Sequence, residues 1–244
     1  MTITGSDKIQ NQLFASGSSS RAKYAALVVG RSGLGALLKY ELIVMVAQSW
    51  PGAIGLAIRK ALYPFLLGSC GRGVIFGQHV VLRHPHKIHI GSNVVVDDNC
   101  LLDAKGEFNG GIRIGDGVFI GRNTILSCKN GDIELAEGAN IGFNCEIFSG
   151  SRVSIGRRVL MAAYSYVIGG DHDFSDPSKP VLEQSRTSAG VSIGDGVWMG
   201  AGAKVLDGVT IGDDAVIGAG AVVRDTVPAR AIAVGIPAHI VGSR

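Results

Sequence analysis

The sequence predicts an all-β solenoid, a chain wound through many short strands, and three observations carry that prediction. Glycine supplies 36 of the 244 residues, about twice its usual share of roughly 7%. An aliphatic residue followed by Gly or Asp recurs with a period of six, as at Ile114-Gly115 and Ile120-Gly121. These six-residue units group in threes into coils, and the interruptions between coils all fall at one point of the coil. A fixed short period of this kind is the signature of a repeat architecture.

Each six-residue unit predicts one short strand and one corner. A small or β-branched residue stands two positions before the aliphatic residue, as Val94 does before Val96 and Cys145 before Ile147. Side chains at positions i and i−2 of a strand lie on the same face, so both members of each pair are expected to point inward. Cys100 and Cys145 are then core residues. The Gly or Asp that follows bends the backbone out of the strand.

The interruptions predict where the chain leaves the solenoid. The aliphatic residues that lead successive coils are separated by 20, 24, 21, 20, 38 and 18 residues. These leaders are Cys70, Ile90, Ile114, Leu135, Ile155, Ile193 and Ile211. Relative to three units of six, the coils carry insertions of 2, 6, 3, 2, 20 and 0 residues, each of which fits after the third unit. All insertions are therefore expected along one edge of a three-sided prism.

Composition and charge exclude several classes of protein. A hydrophobic fraction of 46% excludes extensive disorder, and the lack of a Gly-X-Y period excludes collagen. The net charge of +3 is too small to indicate a nucleic-acid partner. The four cysteines have no C-x-x-C spacing, and the polar, Ser-rich first twenty residues do not resemble a secretory signal. A cytoplasmic location is the expectation that follows.

Four regions are predicted along the chain. Residues 1–20 form a flexible lead-in, residues 21–69 an apolar and basic helical region, residues 70–228 the solenoid with a long loop at 171–190, and residues 229–244 a C-terminal tail. Residues 1–69 contain seven Lys and Arg against two acids, so the rest of the chain is net negative.

The helical region admits two interpretations. The favoured one is a helical pair on the inner face of a membrane, and the other is a cap on the open first coil. Both hold together if Arg59 and Lys60 face anionic lipid while the apolar side covers the coil.

The tandem units from about Cys70 to Pro237 resemble the hexapeptide-repeat acyltransferases, whose fold is a left-handed parallel β-helix. From Gly170 onward the chain resembles the CoA-dependent O-acetyltransferases of the galactoside, maltose and Nod-factor type and their polysaccharide-modifying relatives. The motifs are Ile-Gly-Asp-Gly-Val-Trp-Met-Gly at 193–200, Gly-Val-Thr-Ile-Gly-Asp at 208–213 and Gly-Ile-Pro-Ala at 235–238. This resemblance implies a homotrimer with active sites between neighbouring prisms.

The long loop begins with the candidate catalytic residues Asp171, His172 and Asp173. Loops on regular scaffolds carry function, and a neutral imidazole is a good base near pH 7, although spacing alone leaves a solvated loop histidine equally open. The resemblance implies that His172 is the general base, with Asp171 or Asp173 holding the imidazolium. It further implies transfer of an acetyl group from acetyl-CoA to a hydroxyl of a sugar or polysaccharide precursor.

The resemblance also assigns binding residues. The pantetheine arm of acetyl-CoA is expected along the last coils, at Trp198, Gly200, Ala201, Gly218, Ala219 and Gly220. The corners of the fold require small residues in any case, so Trp198 carries more of this expectation than the glycines and alanines do.

Two further contacts are expected. Arg224 is assigned to a CoA phosphate because the Lys that the family commonly has nearby is missing, and His239 stands where the family tends to have Arg. Asn144 matches the family's acceptor contact, with a turn-forming Asn as the alternative.

Two other classes of function stay open. His79, His84, His86 and His89 cluster in the first coil and suggest a zinc hydratase like the γ-carbonic anhydrases, which use the same fold with three His ligands. Four coils separate this cluster from His172, about 19 Å along the axis, so the two cannot form one site within a chain and no metal is expected. The second alternative is a non-catalytic scaffold whose long loop binds a partner.

Overall fold

The computed structural model describes the backbone of residues 2–3 and all of residues 19–244. The predicted lead-in at residues 1–20 therefore lies almost entirely outside the described residues. Thr2–Ile3 pairs antiparallel with Arg186–Thr187.

Three parallel sheets, which we call faces 1, 2 and 3 in the order the chain visits them, form the walls of a prism. The strands of face 1 are Ser69–Cys70, Ile88–Ile90, Ile112–Ile114, Ile133–Leu135, Val153–Ile155, Val191–Ile193 and Thr210–Ile211. Those of face 2 are Ile75–Phe76, Val95–Val96, Phe119–Ile120, Asn140–Ile141, Leu160–Met161, Trp198–Met199, Val216–Ile217, Ala231–Val234 and His239–Ser243. Those of face 3 are Val81–Arg83, Leu101–Asp103, Ile125–Cys128, Glu146–Ser149, Tyr166–Gly169, Lys204–Val205 and Val222–Val223. The predicted parallel β-solenoid is confirmed.

The interior is filled by the side chains that the six-residue pattern assigns to it. Leaders such as Ile114 and Ile155 are at most 4% exposed, and Cys100 and Cys145 are fully buried as predicted. All four cysteines are unpaired thiols. Burial raises the pKa of Cys100 and Cys128 to about 12, so these thiols are inert core residues rather than nucleophiles.

The insertions leave the solenoid along one edge, between face 3 and face 1, as the register predicts. The longest excursions there are residues 104–111 and 170–190. The edge between faces 2 and 3 is instead made of tight corners. Asn99, Asn123 and Asn144 adopt left-handed backbone conformations at equivalent corner positions, which asparagine tolerates better than most residues.

Three helices precede the solenoid: α1 (Ser20–Tyr24), α2 (Leu34–Ala47) and α3 (Gly52–Leu62). A π-helical turn, Ala25–Val29, follows α1, and 3-10 turns occupy Tyr63–Phe65, Pro85–Lys87 and Val181–Glu183. None of the helices in the described residues has the length and apolarity that crossing a membrane requires.

The helices close the open end of the first coil. Tyr63 packs edge-on against Phe76 with ring centroids 5.3 Å apart, and the Tyr40 hydroxyl donates to the Leu82 carbonyl. Arg59 is 1% exposed, and its guanidinium donates to the carbonyls of Phe76, Trp50 and Ala47. The expectation that Arg59 faces lipid is therefore wrong, because its guanidinium is buried and hydrogen-bonded to backbone carbonyls. Lys60 is exposed.

The predicted C-terminal tail, residues 229–244, is ordered into strands. Ala231–Val234 extends face 2 in parallel, and His239–Ser243 turns back to pair with it antiparallel. Face 2 therefore ends with a reversed strand that differs from the repeats below it.

Two first-coil histidines join the cap to the solenoid. His84 is 6% exposed, and its Nε2 contacts the Ala26 carbonyl at 2.9 Å. His86 stacks on His84 with centroids 6.2 Å apart, and its Nδ1 is buried with no hydrogen-bond partner in the described residues. Burial, followed by the nearby Arg31 charge, lowers the pKa of His86 to about 4.

We expect His86 to make the protein less stable in acid. The pKa of His86 is about 4 in the folded chain and about 6.5 in the unfolded chain. Between pH 6.5 and 4, His86 is therefore protonated in the unfolded state and neutral in the folded state. The free energy of unfolding therefore falls between pH 6.5 and 4. In His86→Leu this part of the fall should disappear, as measured by urea unfolding at pH 7.5 and 5. The exposed His239 provides the matched Leu control, and equal acid sensitivity in both variants would contradict the assignment.

Candidate active site

The long loop is a hairpin anchored where face 3 ends. After Tyr166–Gly169, the strand Asp171–His172 pairs antiparallel with Arg186–Thr187, which sets His172 opposite Arg186. The chain departs through Gly169, where an added Cβ would lie 2.7 Å from the Val153 side chain. The Ser188 hydroxyl closes the base of the hairpin by donating to the Gly169 carbonyl at 2.7 Å.

A cavity of about 250 Å³ opens at the base of this hairpin. Its wall on face 3 is aromatic, since Phe148 and Tyr166 occupy outward-facing positions one coil apart with ring centroids 5.8 Å apart. Partial burial, followed by the Glu146 carboxylate, raises the pKa of Tyr166, which keeps its phenol protonated. The remaining lining residues are Lys129, Asn130, Gly150, Ile168, Gly170, Asp171, His172, Arg186, Thr187 and Ser188.

His172 lines this cavity with a ring nitrogen that nothing else uses. Its Nδ1 is buried, and no hydrogen bond to it exists within the described part of the chain. Buried polar atoms are normally paired, so an orphaned one beside a cavity is a candidate functional group. An imidazole that lines a cavity can take a proton from a hydroxyl bound there.

The two flanking aspartates are engaged elsewhere. An Asp171 carboxylate oxygen accepts the backbone N–H of His172 at 2.7 Å. Asp173 accepts the Ser175 backbone N–H at 2.9 Å and the Ser185 hydroxyl at 3.2 Å, and these bonds, led by the backbone one, lower its pKa. Neither carboxylate is hydrogen-bonded to Nδ1 of His172 in residues 19–244. Their predicted role in orienting the imidazole stays a prediction.

The predicted cofactor residues lie on another part of the prism. Trp198 is 50% exposed on face 2, paired with Leu160 and Val216 of the neighbouring coils, and it does not line the His172 cavity. The five small residues follow the last strands of face 2, at its edge with face 3. They are Gly200, Ala201, Gly218, Ala219 and Gly220.

The edge between faces 2 and 3 changes character toward these last coils. In earlier coils it carries large side chains, with Arg122 4.7 Å over the Phe143 ring and Phe143 edge-on to Tyr164. After Trp198–Met199 and Val216–Ile217 the corner residues are only glycine and alanine, at 200–203 and 218–221. Gly200 is required by the fold itself, because a Cβ at this position would lie 2.5 Å from the Ala219 nitrogen.

Arg224 and Asn144 are also separate from the cavity. Arg224 follows the last strand of face 3, is exposed, and pairs with Asp225 at 3.4 Å. Asn144 has a φ of 52° in a corner, and its backbone N–H donates to the Arg122 carbonyl, which is the turn-forming alternative. The structure thus brings His172 and Asp171 together with aromatic and basic groups, and leaves the cofactor residues as a second group within one chain.

The first-coil histidines do not form a metal site in the described residues. His84 and His86 are packed under the cap, and Nδ1 of His89 lies 3.0 Å from the Ser69 hydroxyl. No three His, Cys, Asp or Glu side chains of residues 19–244 converge in a way that would hold a metal ion. The zinc hydratase alternative gains no support from this geometry.

Comparison with known proteins identifies the repeats. Residues 190–225 match the family model described as bacterial transferase hexapeptide (six repeats). Residues 190–225 therefore carry hexapeptide repeats of this type. They include the strand that holds Trp198 and the corners at Gly200 and Gly218.

Proteins similar to this chain include acyltransferases. The probable acetyltransferase Rv3034c of Mycobacterium tuberculosis is 35% identical over 133 residues, which is 54% of this chain and 44% of that protein. The chain therefore spans less than half the length of this relative. AntD, an N-acyltransferase from Bacillus cereus solved with dTDP and 3-hydroxybutyryl-CoA, superposes with a TM-score of 0.54 at 23% identity, over 81% of this chain and 90% of that one. This likeness supports the fold.

Sequence reasoning missed the aromatic wall of the cavity. Phe148 and Tyr166 each stand one position after an inward residue, Ile147 and Ser165, so the period of six already directs them outward on adjacent coils. Two large aromatic side chains on neighbouring outward positions beside the long loop were the available signal. Arg186 carries no such signal, because its position opposite His172 depends on the hairpin register.

Proposed function

We propose that this protein transfers an acyl group from acyl-CoA, acetyl-CoA in the first instance, to a hydroxyl of a sugar or polysaccharide precursor. The observation that carries the proposal is the unpartnered, buried Nδ1 of His172 at an aromatic-walled cavity. The size of the cavity suits a single ring better than a whole nucleotide. The acetyltransferase and N-acyltransferase relatives support the reaction class.

The reaction requires one proton relay. His172 accepts the proton of the acceptor hydroxyl, and the oxygen attacks the thioester carbonyl carbon to form a tetrahedral oxyanion. The attack forms the ester C–O bond, and collapse of the intermediate restores the C=O bond and breaks the C–S bond. The imidazolium then returns its proton to the departing CoA thiolate. No covalent acyl-enzyme is needed when both substrates are held together.

The proposed binding site for the pantetheine arm, at Trp198 and the nearby glycines and alanines, lies away from the His172 cavity of the same chain. The glycine and alanine edge gives a thin ligand access to the backbone, and the exposed Trp198 ring offers an apolar surface beside it. Because these residues do not line the His172 cavity, the proposal includes a homotrimer in which one chain presents His172 to the cofactor groove of its neighbour. Arg224 is proposed to contact a CoA phosphate.

Trp198→Ala is expected to raise KM for acetyl-CoA about tenfold with a smaller effect on kcat, because it removes apolar contact area from the cofactor groove. Initial rates at varied acetyl-CoA concentration measure both constants. Leu160→Ala is the matched control, since Leu160 is similarly exposed on the same face one coil away. An unchanged KM in Trp198→Ala would remove this residue from the site.

The decisive experiment incubates the purified protein with acetyl-CoA and a panel of sugars, including amino sugars, and follows thiol release and product mass. An O-acetyl product, cleaved by mild base, supports the proposal. An N-acetyl product would move the assignment to amine acceptors. Release of no thiol with any acceptor or acyl donor would favour the binding scaffold. In the cell, we place the reaction in the cytoplasm.

A further inference from the structure

The outer side of α2 exposes four large apolar side chains on a face that also carries the exposed Glu41. Leu34, Leu38, Leu42 and Met45 recur at helical spacing, and each is between 51% and 73% exposed. We call these four residues the apolar cap surface. Three- and four-residue spacing places them on one face of the helix. Trp50, beyond the C-terminal end of α2, is 53% exposed.

The opposite side of α2 is also apolar and is already in use. Tyr40 and Ala47 are buried against the first coil, and Ile43 packs on the core from the same helix. A helix that is apolar all round is normally buried on every side. The packing of α2 therefore accounts for one side of the helix and leaves the apolar cap surface without a partner in residues 19–244.

The net positive charge of the cap indicates what covers the apolar cap surface. The described cap, residues 19–69, holds six Lys and Arg and one acid, Glu41, which accepts the Tyr24 hydroxyl at 2.6 Å. Arg59 is buried, whereas Arg31, Lys39 and Lys60 are exposed. A second copy of the cap would bring like charges together. An anionic lipid surface would instead neutralise these cations, and the leucine side chains would insert among its acyl chains.

We propose that α2 lies on an anionic bilayer, with the apolar cap surface in the acyl boundary and the exposed cations at the headgroups. The 14 residues of α2 are about 21 Å long, short of the roughly 30 Å hydrocarbon core, so the helix lies in the interface rather than across it. This inference concerns binding alone and does not depend on acyl transfer.

Vesicle flotation of the full chain tests the proposal. Vesicles of phosphatidylglycerol and phosphatidylcholine should carry the protein upward, and vesicles of phosphatidylcholine alone should carry far less. Lys39→Gln should weaken binding about fivefold, and rising salt should release the protein. Met45→Glu should weaken it tenfold or more, because a carboxylate enters the acyl boundary. The matched control is Phe108→Glu, since Phe108 is 89% exposed on the loop at residues 104–111.

Tryptophan fluorescence gives an independent readout. The chain has two tryptophans, so Trp198→Phe leaves Trp50 as the single reporter next to the apolar cap surface. Anionic vesicles should shift its emission to shorter wavelength, and brominated lipids should quench it. Far-UV circular dichroism establishes that each variant is folded.

Three results would overturn the proposal. Equal binding to neutral and anionic vesicles would reject the role of the cations, and equal loss in Met45→Glu and Phe108→Glu would reject the surface. Absence of vesicle binding together with a smaller oligomer in Met45→Glu, measured by sedimentation velocity, would assign the surface to contact between copies.

Discussion

Replacing His172 with alanine is expected to lower the rate of acyl transfer by about 10² to 10⁴-fold, the usual contribution of a positioned general base. The ring nitrogen Nδ1 is buried at the cavity with no partner in the described residues, so its loss leaves the acceptor hydroxyl without a group to take its proton. The measurement is initial thiol release from acetyl-CoA under saturating acceptor. KM for acetyl-CoA should change little, because the proposed contacts to the pantetheine arm and the CoA phosphate are made by other residues.

His89→Ala is the matched control for this prediction. His89 is partly exposed in the first coil, contacts the Ser69 hydroxyl, and is absent from the His172 cavity. It should retain the rate of the unmodified protein. If His172→Ala also retains that rate, His172 is an ordinary loop residue and the general-base proposal is wrong.

Replacing Arg59 with methionine is expected to lower the free energy of unfolding by about 3 kcal/mol. Methionine fills similar space, but the carbonyls of Phe76, Trp50 and Ala47 lose the donors that bind them at 2.8 to 3.2 Å. Leaving buried carbonyls unpaired is costly because water cannot replace the lost bonds. The thermal midpoint should fall by roughly 6 to 12 °C for a chain of this size.

Lys60→Met provides a close control, since Lys60 is the next residue of α3 and is exposed. Its effect on stability should stay within about 0.5 kcal/mol. Calorimetry of both variants under the same conditions makes the comparison. Equal shifts would mean that the buried hydrogen bonds of Arg59 do not hold the cap on the first coil.

The repeat made most of the fold predictable from sequence. Alternation within a strand predicts which side chains point inward, and the spacing of leaders such as Ile155 and Ile193 predicts that the long loop leaves along one edge. His172 could be singled out for the same reason, because it begins the one large departure from the period. Where each coil repeats the previous one, strand alternation and the period of six are enough to predict the structure.

Features that depend on contacts between distant segments were not predictable. The burial of Arg59 was missed because a charge in an amphipathic helix normally faces water, and only the packing of α3 under Phe76 brings three carbonyls to it. The cavity wall of Phe148 and Tyr166 required the hairpin to fold back beside face 3. Trp198 does not line the His172 cavity of its own chain, and the coil pattern does not encode how the two residues are related in the proposed homotrimer.

The single edge of departure has a consequence for how such proteins diversify. Strand pairing continues across the excursion at 170–190, since Val153–Ile155 pairs directly with Val191–Ile193. The segment between can therefore be lengthened, shortened or exchanged with little cost to the scaffold, because the entropy of closing a loop grows only slowly with its length. Under the proposed function, exchanging the hairpin changes the acceptor, while the proposed donor groove at the other edge of face 3 is left unchanged.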